Sequence, residues 1–115
     1  LFVEDHVEAL LCILEKGKIG ETYNIGSNNE IKNIDLVKLI CNELELRLTN
    51  DTNKKYNLKS LITFVKDRPG HDFRYSINNN KIKKELGWRP KMNFKKGIKK
   101  TVDWYYKEIK FAKNK

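Results

Sequence analysis

Apolar residues recur along the start of the chain with the spacing of a helix. Within residues 4–16 they fall three or four positions apart and so share one helical face: Val7, Leu10, Leu11 and Leu14. Gly17 follows directly, and glycine is a common residue just past the end of a helix. The pattern predicts a first helix over residues 4–16.

A second helical pattern begins at Ile34. Its apolar face comprises Ile34, Val37, Ile40, Cys41, Leu44 and Leu48. Asn33 stands just before it, where its side-chain oxygen can accept a hydrogen bond from a free N–H of the first turn. Residues 49–60 are polar and have no period, so we expect them to form a loop.

Two further helices are predicted near the end of the chain. One starts after Asn78, its expected cap, and ends at Gly87, a normal left-handed C-terminal position. The other starts at Phe94 and carries a single apolar stripe made of Ile98, Val102, Tyr105 and Ile109.

Two short segments rich in β-forming residues, 21–26 and 61–65, are predicted to be strands. The resulting order, α-β-α-β-α-α, indicates the α/β class. Two strands cannot form a sheet that covers four helices, so the helices must pack on structure outside this sequence. With a first residue, Leu1, that is not methionine, we expect the chain to be a fragment of a longer protein.

The charge of the chain raises the question of a polyanionic partner. It has 115 residues, with 24 Lys+Arg against 15 Asp+Glu and a net charge of +9. A basic surface attracts phosphate backbones, but most of these cations are dispersed lysines with no zinc-finger spacing or interleaved aromatics. We therefore favour a solvated lysine surface without a nucleic-acid partner, and keep a small basic nucleic-acid-binding module as the alternative.

Membrane insertion and disulfide cross-linking are not expected. No apolar run approaches the roughly 20 residues that cross a bilayer. Cys12 and Cys41 lie in apolar stretches without a neighbouring Cys or His, so we expect reduced, buried thiols and no metal site.

The most informative segment is Asp67-Arg-Pro-Gly-His-Asp72. Proline and glycine are the preferred central residues of a type II turn, because the third position needs φ > 0. Such a turn brings Arg68 and His71 together at a strand end, where a guanidinium and an imidazole can bind an anion such as phosphate. The alternative is a surface turn whose Arg–Asp pair contributes about 0–1 kcal/mol.

Several motifs occur in the order of one known family. They are Phe2-Val-Glu-Asp-His6, Gly20-Glu-Thr-Tyr-Asn-Ile-Gly26, Lys32-Asn-Ile-Asp35, Asp67-Arg-Pro-Gly-His-Asp72, Glu85-Leu-Gly-Trp-x-Pro90 and Thr101-Val-x-Trp-Tyr105. Together they resemble the C-terminal part of the dTDP-glucose 4,6-dehydratases, a family of extended short-chain dehydrogenase/reductases. The resemblance covers nearly the whole chain.

The resemblance implies an NAD-dependent lyase. An N-terminal Rossmann domain would hold NAD, and residues 1–115 would form an incomplete C-terminal portion that binds the nucleotide sugar. The implied reaction turns dTDP-glucose into dTDP-4-keto-6-deoxyglucose and water, toward deoxysugars such as rhamnose. NAD⁺ takes a hydride from C4, water leaves across C5 and C6, and the hydride returns to C6. A cytoplasmic homodimer without a membrane partner is expected.

The same resemblance assigns substrate contacts to Asn33, Asp67, Arg68, Pro69, Gly70 and His71. Arg68 and His71 would meet the diphosphate and nucleoside end. The family's glycine-rich loop, catalytic Tyr-x-x-x-Lys and Asp-Glu acid pair would precede Leu1, so no catalytic, cofactor-binding or metal-binding residue is expected here. A related NAD-dependent epimerase or decarboxylase acting on a UDP- or GDP-sugar remains the alternative enzyme.

Two other groupings resemble catalytic patterns. Tyr106 and Lys110 have the Tyr-x-x-x-Lys spacing, and a lysine one turn away could lower the pKa of the tyrosine. They lie at the end of a lysine-rich helix, so we interpret the match as chance. Residues 4–6, Glu-Asp-His, group two carboxylates with an imidazole. A capped helix start with acidic residues in its first turn explains this group as well as a catalytic role does.

Overall fold

Apart from a single β-bridge residue, Lys32, the regular secondary structure of the part of the chain that the structure describes is helical. This computed structural model describes residues 1–70 and 77–113, and side chains through residue 110 outside that gap. The helices are α1 (Val3–Lys16), α2 (Asn33–Thr52), a 3₁₀ helix (Leu58–Leu61), α3 (Asn80–Leu86) and α4 (Phe94–Lys113). None of them is long and apolar enough to cross a membrane.

The chain packs as two units. The first unit comprises Leu1–Glu30 and Tyr75–Gly97, and the second comprises Ile31–Arg74 and Ile98–Lys115. The first unit therefore contains α1 and α3, whereas the second contains α2, the 3₁₀ helix and most of α4.

The core of the first unit forms where α1 meets α3. Its buried members are Ala9, Ile82, Leu86 and Trp88, with Cys12, Ile13, Tyr23 and Ile25 packed around them. Ala9 and Ile82 are completely buried. Because Ala9 has no exposed surface, a longer side chain at this position would need volume that the surrounding core already occupies.

A buried carboxylate anchors the segment that follows this core. The side chain of Asp5 is 4% exposed, and its two oxygens accept hydrogen bonds from the backbone N–H groups of Lys91 and Met92 at 3.1 and 3.0 Å. The start of α1 is thereby tied to the chain just beyond Pro90.

The ends of α3 depend on local backbone chemistry. Gly87 has φ +75°, the left-handed conformation that terminates the helix. At the other end the expected cap is displaced by one residue: Asn79 occupies the N-cap position, and the carboxamide oxygen of Asn78 accepts a hydrogen bond from the N–H of Asn80 at 2.9 Å. The side chain of Asn79 instead donates to the carbonyl of Gly26 at 2.7 Å.

In the second unit, polar contacts tie α2 to α4. Nε of Arg47 donates to the carboxylate of Asp103 at 2.5 Å, and its other nitrogens reach Glu43 within α2 and the carbonyl of Lys99. The Asp103 carboxylate raises the pKa of Arg47, and the guanidinium lowers the pKa of Asp103. Val102, on α4, is buried, with only 6% of its surface exposed.

The four predicted α-helices are confirmed, but both predicted strands are wrong: residues 21–26 and 61–65 form no strand among the described residues. A strand needs the N–H and C=O groups of a neighbouring strand, and β-forming residues alone do not supply them.

The predicted loop at 49–60 is also partly wrong. α2 continues to Thr52, where the threonine hydroxyl donates to the carbonyl of Leu48 at 2.7 Å, and Leu58 begins the 3₁₀ helix.

Candidate functional site

An open groove of about 850 Å³ lies within the second unit, between the first half of α2 and the chain from the 3₁₀ helix to Asp67. Most of its lining is apolar and consists of Ile34, Val37, Cys41, Leu44, Leu58, Leu61, Ile62, Phe64 and Val65. The remaining lining residues are Lys32, Asn33, Thr63 and Asp67. The groove thus combines a long apolar wall with a few polar side chains.

Two of the predicted substrate contacts, Asn33 and Asp67, line this same groove. Asn33 is the first residue of α2, and the N-cap position belongs to Lys32. The backbone carbonyl of Lys32 accepts the N–H groups of Asp35 and Leu36 at 3.0 and 3.1 Å. The predicted capping role of Asn33 is therefore wrong, because the helix begins one residue earlier than the apolar pattern indicates.

The predicted turn follows at Pro69 and Gly70. Gly70 has φ +70°, as the third position of a type II turn requires. A Cβ at Gly70 would meet nothing within 4 Å, so glycine is needed here for its backbone angle and not for space. The backbone N–H of Arg68 donates to the carboxylate of Asp67 at 2.9 Å.

The three residues Arg68, Pro69 and Gly70 are exposed. His71 lies outside the described residues, and so does Asp72. The convergence of the His71 imidazole with the Arg68 guanidinium consequently stays a prediction.

The two other groupings that resemble catalytic patterns, Tyr106 with Lys110 and residues 4–6, make hydrogen bonds within the fold. The Tyr106 hydroxyl donates to the carboxylate of Asp51 at 2.6 Å, and Lys110 binds the same carboxylate. The hydrogen bond to Asp51 raises the pKa of Tyr106, whereas a tyrosine that acts as a base near neutral pH needs a lowered pKa. In the group at residues 4–6, the carboxylate of Asp5 is occupied by backbone N–H groups.

The thiols are free but less buried than expected. Cys12 and Cys41 are both half-buried, and Cys12 donates to the carbonyl of Leu86 at 3.6 Å. Among the described residues, no cluster of three His, Cys, Asp or Glu side chains could hold a metal ion.

Sequence reasoning missed the apolar wall of the groove and Lys32 at its edge. The signal for the wall was present, since Ile34, Val37, Cys41 and Leu44 are the residues that predicted one face of α2. The apolar spacing predicted the face but not its surroundings, and no residue of α2 is fully buried. The pattern identified an apolar face and could not indicate that it would line an open groove.

Comparison with known proteins gives consistent results. A family model described as GDP-mannose 4,6 dehydratase matches residues 1–101. A dTDP-glucose 4,6-dehydratase of Haemophilus influenzae is 51% identical over 105 residues, covering 91% of this chain and 31% of that protein. The dTDP-glucose 4,6-dehydratase 1 of Escherichia coli K12 is 48% identical over 114 residues, covering 99% of this chain and 30% of that protein.

A solved structure gives the same result. The crystal structure of dTDP-glucose 4,6-dehydratase from Bacillus anthracis in complex with NAD has a TM-score of 0.71 and 43% identity, over 91% of this chain and 30% of that one. The expected fold class, part of an extended short-chain dehydrogenase/reductase, is thereby confirmed. The chain spans about 30% of the length of these relatives. With a family model that matches it from residue 1 to residue 101, the chain belongs to the GDP-mannose 4,6-dehydratase family.

Proposed function

We propose that residues 1–115 are the nucleotide-sugar-binding portion of a dTDP-glucose 4,6-dehydratase. The observation that carries this proposal is the 48–51% identity, over most of the chain, to relatives of that name. The whole enzyme would convert dTDP-glucose into dTDP-4-keto-6-deoxyglucose and water, and would therefore be a lyase.

The proposal places the substrate against the polar end of the groove. The carboxamide of Asn33 can both donate and accept hydrogen bonds. Arg68, presented by the turn at Pro69 and Gly70, supplies the forked guanidinium that matches phosphate oxygens. Asp67 accepts the backbone N–H of Arg68 at 2.9 Å and so helps to hold the turn. His71 completes the proposed set at the nucleoside end.

NAD does not fit the residues present here. A dinucleotide site places the pyrophosphate at a helix N-terminus behind a glycine-rich loop. The helices of the described residues instead follow Phe2, Lys32, Asn79 and Asn93. We therefore assign the NAD site, together with the catalytic residues, to polypeptide outside this chain, and derive no chemical step from these residues.

The proposal extends to the setting of the enzyme. The free thiols of Cys12 and Cys41 suit a reducing compartment such as the cytoplasm. We propose a homodimer for the whole enzyme, as the family resemblance implies, with a nucleotide sugar as its partner and neither nucleic acid nor membrane.

Substitution of Arg68 tests the proposed site. In the NAD-containing enzyme, Arg68→Ala should raise KM for dTDP-glucose about tenfold or more, because a charge-assisted contact to the diphosphate contributes roughly 1.5–3 kcal/mol. Arg89→Ala is the matched control, since Arg89 is an exposed arginine of the first unit. An Arg68→Ala enzyme with an unchanged KM would remove Arg68 from the site.

The identity of the substrate needs a separate comparison, because the matching family model is named for GDP-mannose and the relatives for dTDP-glucose. We expect turnover of dTDP-glucose and not of GDP-mannose by the NAD-containing enzyme. Turnover of GDP-mannose, or of a UDP-sugar, would instead favour the alternative enzymes of the same class.

The nucleic-acid alternative is tested with the chain itself. We expect dTDP to raise its melting temperature and DNA to have no effect at matched ionic strength. A DNA affinity that falls steeply with salt would favour the binding module, because phosphate contacts release counterions.

A further inference from the structure

Helix α1 carries large apolar side chains on the side that its own unit leaves uncovered. At 3.6 residues per turn they fall within one sector roughly 100° wide. Each of them is at least half exposed: Val3, Val7, Leu10, Leu11 and Leu14. We call this sector the outer face of α1. Leu14, at 82% exposed, is the most exposed of the five.

The opposite side of the same helix is already packed. Ala9 is completely buried, and Cys12 and Ile13 pack around the same core. Asp5, also on that side, is fixed by hydrogen bonds from the backbone N–H groups of residues 91 and 92, so α1 cannot turn to bury its outer face. A helix that is apolar on two opposite sides belongs between two layers of structure, and the described residues supply one of them.

The proposed function indicates what supplies the other layer. The chain spans about 30% of the length of its relatives, and the proposal assigns the NAD site and the catalytic residues to polypeptide outside it. A nucleotide sugar bound by this chain must meet those catalytic residues in a fixed geometry. The two parts of the enzyme therefore need a lasting contact, and lasting contacts bury apolar surface.

The charges beside the outer face disfavour a membrane as its partner. Along one edge of the face lie three exposed acidic residues, Glu4, Glu8 and Glu15. Anionic lipid surfaces attract basic segments and repel acidic ones. An apolar protein surface is the partner that fits.

We propose that the outer face of α1 is an interaction surface that packs against the NAD-holding part of the same enzyme. In the assembled enzyme α1 then lies between the core that it shares with α3 and that second part. The inference rests on the proposed function, because it needs the NAD-holding part as the partner. The contact buries apolar side chains and involves no covalent step.

The test places one substitution in two proteins, the 115-residue chain and the NAD-containing enzyme. Leu14→Gln should change the melting temperature of the chain by less than about 3 °C, because the side chain is exposed there. In the enzyme it should lower the melting temperature by about 6 °C or more, because a buried carboxamide replaces apolar packing. Leu10→Gln should repeat this difference. Lys16→Gln is the matched control, since Lys16 is an exposed residue of α1 outside the outer face.

The outcomes also separate this surface from other partners and from the proposed function. Leu14→Gln shifts that are equal in the two proteins, whether small or large, would overturn the inference. A 115-residue chain that sediments as a dimer and becomes monomeric with Leu14→Gln, while the melting temperature of the enzyme stays unchanged, would make a second copy the partner and also overturn it. An enzyme that shows the Leu14→Gln shift but does not turn over dTDP-glucose would support this surface and overturn the proposed function.

Discussion

Removing the carboxylate of Asp5 should destabilise the first unit more than any exposed acid does. Its two oxygens accept hydrogen bonds from the N–H groups of Lys91 and Met92 at 3.1 and 3.0 Å, in a site where Asp5 is 4% exposed. Hydrogen bonds to a charged partner contribute about 1.5–3 kcal/mol each. Asp5→Ala should therefore lower the free energy of unfolding by roughly 3 kcal/mol. Asp5→Asn, which keeps one acceptor oxygen, should lower it by about half as much.

Urea unfolding followed by tryptophan fluorescence measures this effect. In a Trp104→Phe background the remaining tryptophan is Trp88, which is buried in the same unit as Asp5. For a unit of this size, with a urea dependence of about 1 kcal/mol per molar, 3 kcal/mol shifts the midpoint by about 3 M. Glu4→Gln, an exposed neighbour, is the control. An Asp5→Ala midpoint equal to that of Glu4→Gln would refute the anchoring role of the carboxylate.

Three further changes have defined outcomes. Ile82→Ala should lower the free energy of unfolding by about 2–4 kcal/mol in the same assay, because Ile82 is completely buried; a loss below about 1 kcal/mol would contradict the packing described. Gly87→Ala should lower it by only about 1 kcal/mol, since φ is +75° but no atom lies within 4 Å of the added Cβ; thermal melts that match the wild type would argue against the left-handed cap. Arg47 holds the pKa of Asp103 below its ordinary value of 3.8, so this pair stabilises the fold above that pH and its contribution is lost as the pH falls through the lower folded pKa. Acid titrations should then show a flatter stability profile for Asp103→Asn, and identical profiles would exclude the pair.

The sequence predicted the helices well because their signals are local. The apolar spacing in residues 4–16 and the glycine at Gly87 act within one or two turns, and the observed α1 and α3 end close to the predicted positions. The prediction of a strand at 61–65 was wrong for the opposite reason, because strand formation depends on a partner that is distant in sequence. Phe64 and Val65 have high strand propensity, yet each is 83% exposed in this structure.

The candidate site was predictable in part for the same reason. The turn was predictable because proline fixes φ at Pro69 and glycine tolerates a positive φ at Gly70. The observed φ of Gly70 is positive, as predicted. That Asn33 lies on the same groove as Asp67 depends on how α2 packs against the chain after the 3₁₀ helix. Residue spacing contains no information about that packing, and only the family resemblance grouped the two residues beforehand.

The most direct test of the central claim is a titration of the ¹⁵N-labelled 115-residue chain with dTDP, followed by amide chemical shifts. The proposed site predicts saturable shifts at Asn33, Asp67, Arg68 and Gly70, with the amides of Ala9 and Ile82 in the first unit unmoved. Shifts confined to the lysines of α4, or no saturable shift at any of the four site amides, would contradict the assignment of this groove to a nucleotide sugar.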